Sequence, residues 1–443
     1  MDNSHARRRI WGWYFFDWAS QPYNTLLLTF VFAPYLNDLL GDGTRAQSVW
    51  GFGVGAAGIV IALTAPILGA IADTGGARMR FIWVFSIFYI LGAAGLWWSE
   101  PGNYSLWWIM ICFALGLIGM EFATIFTNAM LPDLGPPERI GRISGNGWAF
   151  GYLGGLFGLV IMLGFFAEGE TGRTFFGISP ILGLDPDMRE GTRSVGPFTA
   201  LWYGLFMVPF FLFMRDPRPK AVAPGAVGRA LADLRETMRR LPSSPSLFAY
   251  LGSSMFYRDA LNGMYAFGGI YAAGVLGWTV VEVGTFGILA IVTGAVFSWL
   301  GGRADSAYGP KPVIVCSVLI LTVVAIGVVF VSREAVFGIS VAAGSAIPDV
   351  AFYALGAVIG AAGGVLQAAS RSMMVVQANP ERMTEAFGLY ALAGKATSFV
   401  APLSIAVATE VSGSQQLGIA PLIVLFAIGL ILLFWVKASP ERH

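Results

Sequence analysis

The chain has 443 residues, 56% of them hydrophobic and 12% charged, with a formal net charge of +1. A water-soluble domain carries about 25% charged residues, so one soluble core of this length is excluded and a polytopic membrane protein is expected. A net charge this close to zero gives nucleic-acid binding no electrostatic support.

A helix that crosses the hydrocarbon core needs about 20 mostly apolar residues. Twelve such runs follow one another, at 11–38, 49–72, 81–98, 105–131, 143–166, 197–214, 246–274, 281–302, 312–331, 349–375, 384–410 and 416–436. No cleavable signal peptide is expected, because Arg7, Arg8 and Arg9 lead into a long span with no small-residue cleavage site. Cys112 and Cys316 fall inside apolar runs and imply no disulfide framework. His5 and His443 lie at the extreme ends, which excludes a histidine-based catalytic or metal site inside the membrane. No cofactor and no metal are expected, and no enzyme chemistry.

With both termini inside, the cytoplasmic segments hold 19 of the 27 Lys and Arg, and the outer segments hold 5. This excess sets the topology by the positive-inside rule and predicts an inner-membrane protein with both termini cytoplasmic. Residues 215–245 form one long cytoplasmic linker. It opens with Asp216-Pro217-Arg218-Pro219-Lys220, which cannot be a helix interior. Val227, Leu231, Leu234, Met238 and Leu241 then recur at helical spacing, with Arg229, Arg235, Arg239 and Arg240 on other faces. That pattern reads as an amphipathic helix at the inner membrane surface, and equally as a tether between two halves. The outer loop 167–196 mixes Gly, Pro and charge and suggests no chemistry.

Two motifs are repeated. Gly69-Ala-Ile-Ala-Asp73-Thr-Gly-Gly76-Ala-Arg78 follows the second span, and Gly301-Gly-Arg-Ala-Asp305-Ser-Ala-Tyr-Gly309-Pro-Lys311 follows the eighth. Pro137-Glu138-Arg139 up to Gly145 is echoed by Pro380-Glu381-Arg382 up to Gly388, at a constant offset of 243 residues. Two six-span halves, 1–214 and 246–443, are thus expected to be related by an axis along the membrane normal.

The doubled loop motif resembles the signature of the major facilitator superfamily. Further segments narrow the likeness: Phe16-Asp17-Trp18-Ala19-Ser20, Asn128-Ala129-Met130-Leu131-Pro132-Asp133, the glycine-rich run from Ser144 to Gly155, and Glu385-Ala386-Phe387-Gly388-Leu389-Tyr390-Ala391-Leu392 through Gly394-Lys395. Together they are similar to the autophagy-related vacuolar amino-acid effluxer family and its bacterial members. Ser20-Gln21 departs from that family's more usual Asn-Ser pair. The resemblance implies an all-α membrane protein of twelve transmembrane helices in two pseudo-symmetric six-helix bundles, monomeric, and export of amino acids. It also implies that the first, fourth, seventh and tenth helices line a cavity while the third, sixth, ninth and twelfth face lipid. In keeping with that, spans three, six, nine and twelve hold no Asp, Glu, Lys or Arg between their ends.

A charge at mid-bilayer costs at least about 2.5–3.5 kcal/mol, so intramembrane ions are candidates for function. Arg258 and Lys395 each lie about a dozen residues into their spans, roughly 18 Å deep at 1.5 Å per residue. Arg258 shares a helical face with Asn262. A guanidinium and an ammonium suit a carboxylate, and a structural salt bridge to a neighbouring helix is the competing reading. Asp17 and Glu121 fall in the cytoplasmic halves of their spans, and Asp259 follows Arg258. A buried carboxylate can load and release a proton, or form a gating bridge. Asp73, Arg78, Asp305 and Lys311 read as gating residues in the inner turns. Arg371 and Glu385 read as a structural bridge near the same side. Tyr23, Asn24, Tyr257, Tyr265, Gln367 and Tyr390 are candidate polar or aromatic cavity contacts. Gly147, Gly151 and Gly155, and Gly356, Gly360 and Gly364, recur every four residues and predict close helix packing.

The expected activity is secondary transport of a small polar solute, an amino acid or related zwitterion or anion, by alternating access with proton coupling. A lipid or lysolipid flippase on the same fold is the alternative. The expected partners are that solute, protons and the lipid bilayer.

Overall fold

The computed structural model describes residues 3–438 except 42, 76–77, 170, 216–225 and 279. The linker opening at 216–220 and Gly76 of the first loop motif therefore lie outside the described residues. Helix dominates, as hydrocarbon requires of any chain that must satisfy its own backbone. The first predicted span divides into α1 (Asn3–Pro22), a π-helical stretch (Tyr23–Phe30) and α2 (Phe32–Leu40). Pro22 lacks an N–H, so the hydrogen-bond ladder changes register there.

The next helices are α3 (Gly43–Gly75), α4 (Arg78–Gly95), α5 (Leu106–Asn128) and α6 (Pro137–Ile161). The fifth span thus starts six residues before the expected 143, because Pro137 suits a first helical turn and the polar turns after it stay helical. The sixth span is built from α7 (Glu190–Arg193), α8 (Val195–Phe206) and α9 (Val208–Phe213). The linker forms α10 (Ala226–Arg240), with Leu234 buried and Thr237 accepting a hydrogen bond from Arg382 Nη1 at 2.9 Å.

The remaining helices are α11 (Pro245–Leu276), α12 (Val280–Tyr308), α13 (Pro310–Val329), α14 (Ile347–Gln377), α15 (Met383–Ala396), α16 (Val400–Ser412), α17 (Gln415–Gly418) and α18 (Pro421–Leu433). A two-stranded hairpin, β1 (Ala335–Val336) and β2 (Ile339–Ser340), joins α13 to α14.

Ten segments among the described residues are long and apolar enough to cross a membrane. They match predicted spans two to six and eight to twelve. The first and seventh segments are helical but fall outside that criterion. The first runs on from Pro22 as a π-helix but is diluted by Asp17, Ser20, Gln21 and Asn24, and the seventh is diluted by Ser253, Ser254, Arg258, Asp259 and Asn262. Helices α4, α8, α13 and α18 carry exposed apolar side chains, among them Trp83, Leu91, Leu201, Leu205, Val323 and Ile431.

The chain divides into two compact units, one of residues 1–134 and 150–230, the other of residues 135–149 and 231–443. In the first unit, Trp13 Nε1 donates to Thr127 O at 2.9 Å and Tyr23 Oη to Phe113 O at 2.7 Å, tying the first span to α5. Gly154 and Gly155 press on Trp18 and Thr25. In the second unit, Gly356, Gly360 and Gly364 of α14 lie against Phe286, Ala290 and Ser298 of α12, so closely that a Cβ at any of the three would overlap them. Such contact is how apolar helices gain packing energy where lipid supplies no hydrophobic drive.

Candidate functional site

The second unit brings three of the candidate residues together, Arg258, Tyr390 and Lys395. Arg258 of α11 sets its guanidinium 4.1 Å from the Tyr390 ring centroid, and its Nη1 donates to Tyr390 O at 3.1 Å. The same guanidinium lies against Gly394, where the missing side chain leaves it room, and Lys395 is the next residue. Both cations are half-buried. Tyr390 in turn stacks on Tyr250, with ring centroids 6.1 Å apart and planes 6° apart. Stacking over a tyrosine face suits a guanidinium that is partly stripped of water.

Asp259, the neighbour of Arg258 in sequence, is buried, and its Oδ2 accepts from Ala401 N at 2.8 Å. Asn262, one turn beyond Arg258, is exposed. Tyr265 is 41% exposed, with its hydroxyl against Gly363 of α14. Gln367 stands half-buried one turn further along α14.

Two candidates differ from the expectation of cavity contacts. Tyr257 is fully buried, and its hydroxyl pairs with Ser370 Oγ at 2.8 Å. Tyr23, in the first unit, is also fully buried, donating to Phe113 O with its ring against Tyr89 and Gly116. An aromatic residue can fill a cavity wall or a core, and sequence spacing does not distinguish the two. Here the hydroxyls have internal partners and the rings are core. In the same unit Asp17, Asn24 and Glu121 are half-buried, and Gly151 packs on the Asp17 backbone.

The two copies of the loop motif are built differently. In the first, Arg78 bridges Asp73 at 3.1 Å and Asp133 at 3.3 Å, and also donates to Ala129 O at 3.2 Å. In the second, Asp305 accepts from the Ser372 hydroxyl and lies against Gly141, and no ion pair of Asp305 is found among the described residues. Lys311 donates to Val436 O at 2.6 Å, and no acidic partner of it is found among the described residues. Arg303 folds back over its own helix, 3.5 Å from the Trp299 ring centroid.

Arg371 of α14 is 4% exposed and sits on the start of α6, with Nε donating to Ser144 Oγ at 2.9 Å and Nη2 to Ser144 O at 2.7 Å. Its guanidinium lies 5.6 Å from the Trp148 ring centroid, and Ser144 Oγ donates onward to Ala368 O at 2.7 Å. Arg371 thus has Ser144, 227 residues away, among its partners. Glu385 is buried at the start of α15.

Sequence reasoning passed over Ser372 and gave Ser144 and Asp133 no role beyond the family likeness, since these residue types are common in loops and caps. It also passed over a charged cluster at the end of the first unit. Buried Glu168 accepts from Thr192 N and Oγ1 at 3.1 and 2.7 Å and pairs with Arg189 at 3.2 Å, and Arg189 reaches Asp38 at 3.5 Å. Arg193 donates to Trp97 O at 3.0 Å. The mixed charge of loop 167–196 was the available signal.

Comparison with known proteins agrees with this architecture. Residues 38–443 match the family described as vacuole effluxer Atg22 like. An uncharacterised MFS-type transporter of Bacillus subtilis, YxiO, is 25% identical over 436 residues, covering 96% of this chain and 94% of its own. Autophagy-related protein 22 of Cryptococcus neoformans is 22% identical over 295 residues, 65% of this chain and 48% of its own, so the match spans about half of that fungal protein. The human organic anion transporter MFSD10 superposes with a TM-score of 0.70 at 18% identity, covering 97% of this chain and 99% of the other. The fucose:proton symporter FucP of E. coli does so with a TM-score of 0.68 at 15% identity, covering 97% and 98%. At such identities the structural likeness shows the fold alone.

Proposed function

The chain belongs to the vacuole effluxer Atg22-like family and has the major facilitator fold of a multi-pass membrane transporter, and from that premise we propose that it moves an amino acid, or a related zwitterion or anion, across the inner membrane by alternating access. Both termini face the cytoplasm in this reading, and the chain works as a monomer. Lys395 and Arg258 receive the carboxylate of the solute. In the same unit Asn262, Gln367 and Tyr390 supply polar and aromatic contacts. In the first unit Asp17 and Glu121 carry the coupling proton. Asp73, Arg78, Asp305, Lys311, Arg371 and Glu385 hold the gating turns.

The observation that carries the reading is the placement of two half-buried cations, Arg258 over Tyr390 and Lys395 beside Gly394, on adjoining helices of one unit. Ions in mid-membrane segments are costly and tend to line solute pathways. A screen of amino acids, peptides and organic anions by thermal shift finds the cargo, since a ligand at a hundredfold its Kd adds about 2.7 kcal/mol. Uptake of that cargo into proteoliposomes then tests the residues. Lys395→Ala and Arg258→Ala are each expected to reduce it at least tenfold, and unchanged uptake in both ends the proposal.

A further inference from the structure

The eleventh predicted span, 384–410, is not one helix. Helix α15 ends at Ala396, residues 397–399 form a turn, and α16 begins at Val400. Two hydroxyls occupy the turn. Ser398 Oγ donates to Lys395 O at 3.0 Å, and Thr397 Oγ1 reaches Met255 O of α11 at 3.5 Å.

The consecutive pair Arg258-Asp259 of α11 holds both sides of this break. Arg258 lies against Gly394 and donates to Tyr390 O, which places a cation by the last turns of α15. Asp259 accepts from Ala401 N, which places an anion at the first turn of α16. Each sign matches the partial charge of the helix end it meets. The N-cap position of α16 is Phe399, which has no side-chain acceptor, so the cap comes from a neighbouring helix. Aspartate is among the strongest capping residues when supplied locally, and here its Oδ2 takes the N–H of the second residue of α16, one of the groups a local cap would satisfy.

We infer that Arg258-Asp259 is a two-sided clamp on a hinge in span eleven, and that Asp259 acts as a positioning residue that fixes Lys395. Lys395 lies two residues from the hinge, so its ammonium moves with α15 when the break flexes. This assignment rests on the proposed function only in giving Lys395 a solute to meet. The clamp itself is a property of the resting chain and needs no substrate to be measured.

Hydrogen exchange of the purified full-length protein in nanodiscs tests it. Asp259→Leu keeps the size of the side chain and removes the acceptor, while Asp259→Asn keeps an acceptor oxygen. In the Leu variant the peptide spanning 397–403 is expected to exchange about tenfold faster, and in the Asn variant within about threefold of the parent. Exchange in α5 of the other unit should not change, which separates hinge release from general unfolding. If Asp259→Leu does not fold, Asp259→Glu, whose oxygens are displaced by one methylene, replaces it and must also quicken exchange. Unchanged exchange at 397–403, or an Asn variant as fast as the Leu variant, overturns the clamp.

Labelling of Lys395 by an amine-selective acetylating reagent, followed by mass spectrometry, tests the positioning role. Its rate is expected to change at least threefold in the Leu variant and to return in the Asn variant. An unchanged rate overturns the positioning role even where exchange quickens. Failure of the uptake test leaves both measurements interpretable, so the two readings fall separately.

Discussion

Removing one oxygen at Ser144 should cost as much as many core truncations. Ser144 is fully buried, and its Oγ accepts from Arg371 Nε at 2.9 Å while donating to Ala368 O at 2.7 Å. Ser144→Ala deletes both hydrogen bonds. A hydrogen bond to a charged group contributes about 1.5–3 kcal/mol and a neutral one about 1 kcal/mol, and the guanidinium that loses its acceptor is buried. The expected loss is therefore about 2.5–4 kcal/mol. Equilibrium unfolding in mixed micelles, driven by dodecyl sulfate, measures it. Because Arg371 makes other contacts, including the second bond to Ser144 O, a double-mutant cycle with Arg371→Met isolates the pair. A coupling energy of about 1.5 kcal/mol or more is expected. A loss below about 0.5 kcal/mol for Ser144→Ala, the range of ordinary surface changes, would refute the assignment of Ser144 as a buried partner of Arg371.

Two further outcomes follow from the packing of the first unit. A Cβ at Gly92 of α4 would overlap the backbone of Gly116 and Cys112 in α5, so Gly92→Ala should destabilise by about 1–3 kcal/mol, whereas Gly204→Ala, whose new methyl meets only Ile90 at 3.8 Å, should be near neutral. Thermal unfolding of the two variants in detergent makes the comparison, and equal midpoints would contradict the close approach. Glu168→Leu removes the acceptor of Thr192 and the partner of Arg189, so tryptic cleavage after Arg173 should quicken roughly tenfold or more if the loop is anchored as described. Cleavage at the parental rate would show that the carboxylate does not hold the loop.

The helical segments were legible because burial in hydrocarbon leaves a coarse signature, long runs without charge. The glycine stripe of α14 was legible for a related reason, since four-residue spacing puts small residues on one face. The break in span eleven was legible only in part. Pro402 has no N–H for the Ser398 carbonyl and marks an interruption of the span, but the cap that lets α16 restart comes from Asp259, 142 residues earlier. The same limit applies to Arg371. Its position near the end of a span suggested a structural role, but the serine it binds lies 227 residues away, at the start of the fifth predicted span. Tyr23 and Tyr257 show the converse. Their residue type and depth suited a cavity, and only the neighbours at their hydroxyls, Phe113 and Ser370, reveal them as core. Local sequence records which residues are unusual, while the partner that explains each one is set by tertiary contact.

The duplicated loop has diverged in the kind of force that closes it. Its first copy is fastened by opposite charges at Asp73, Arg78 and Asp133, the last of them 30% exposed, and its second by the hydroxyl of Ser372 on a buried Asp305. Dissolved electrolyte reaches the Asp133 arm of the former, shortening its pull to a few ångströms near molar concentration, and has little access to Asp73 or to Asp305. Ionic strength therefore becomes a handle on one arm of one joint and spares its twin.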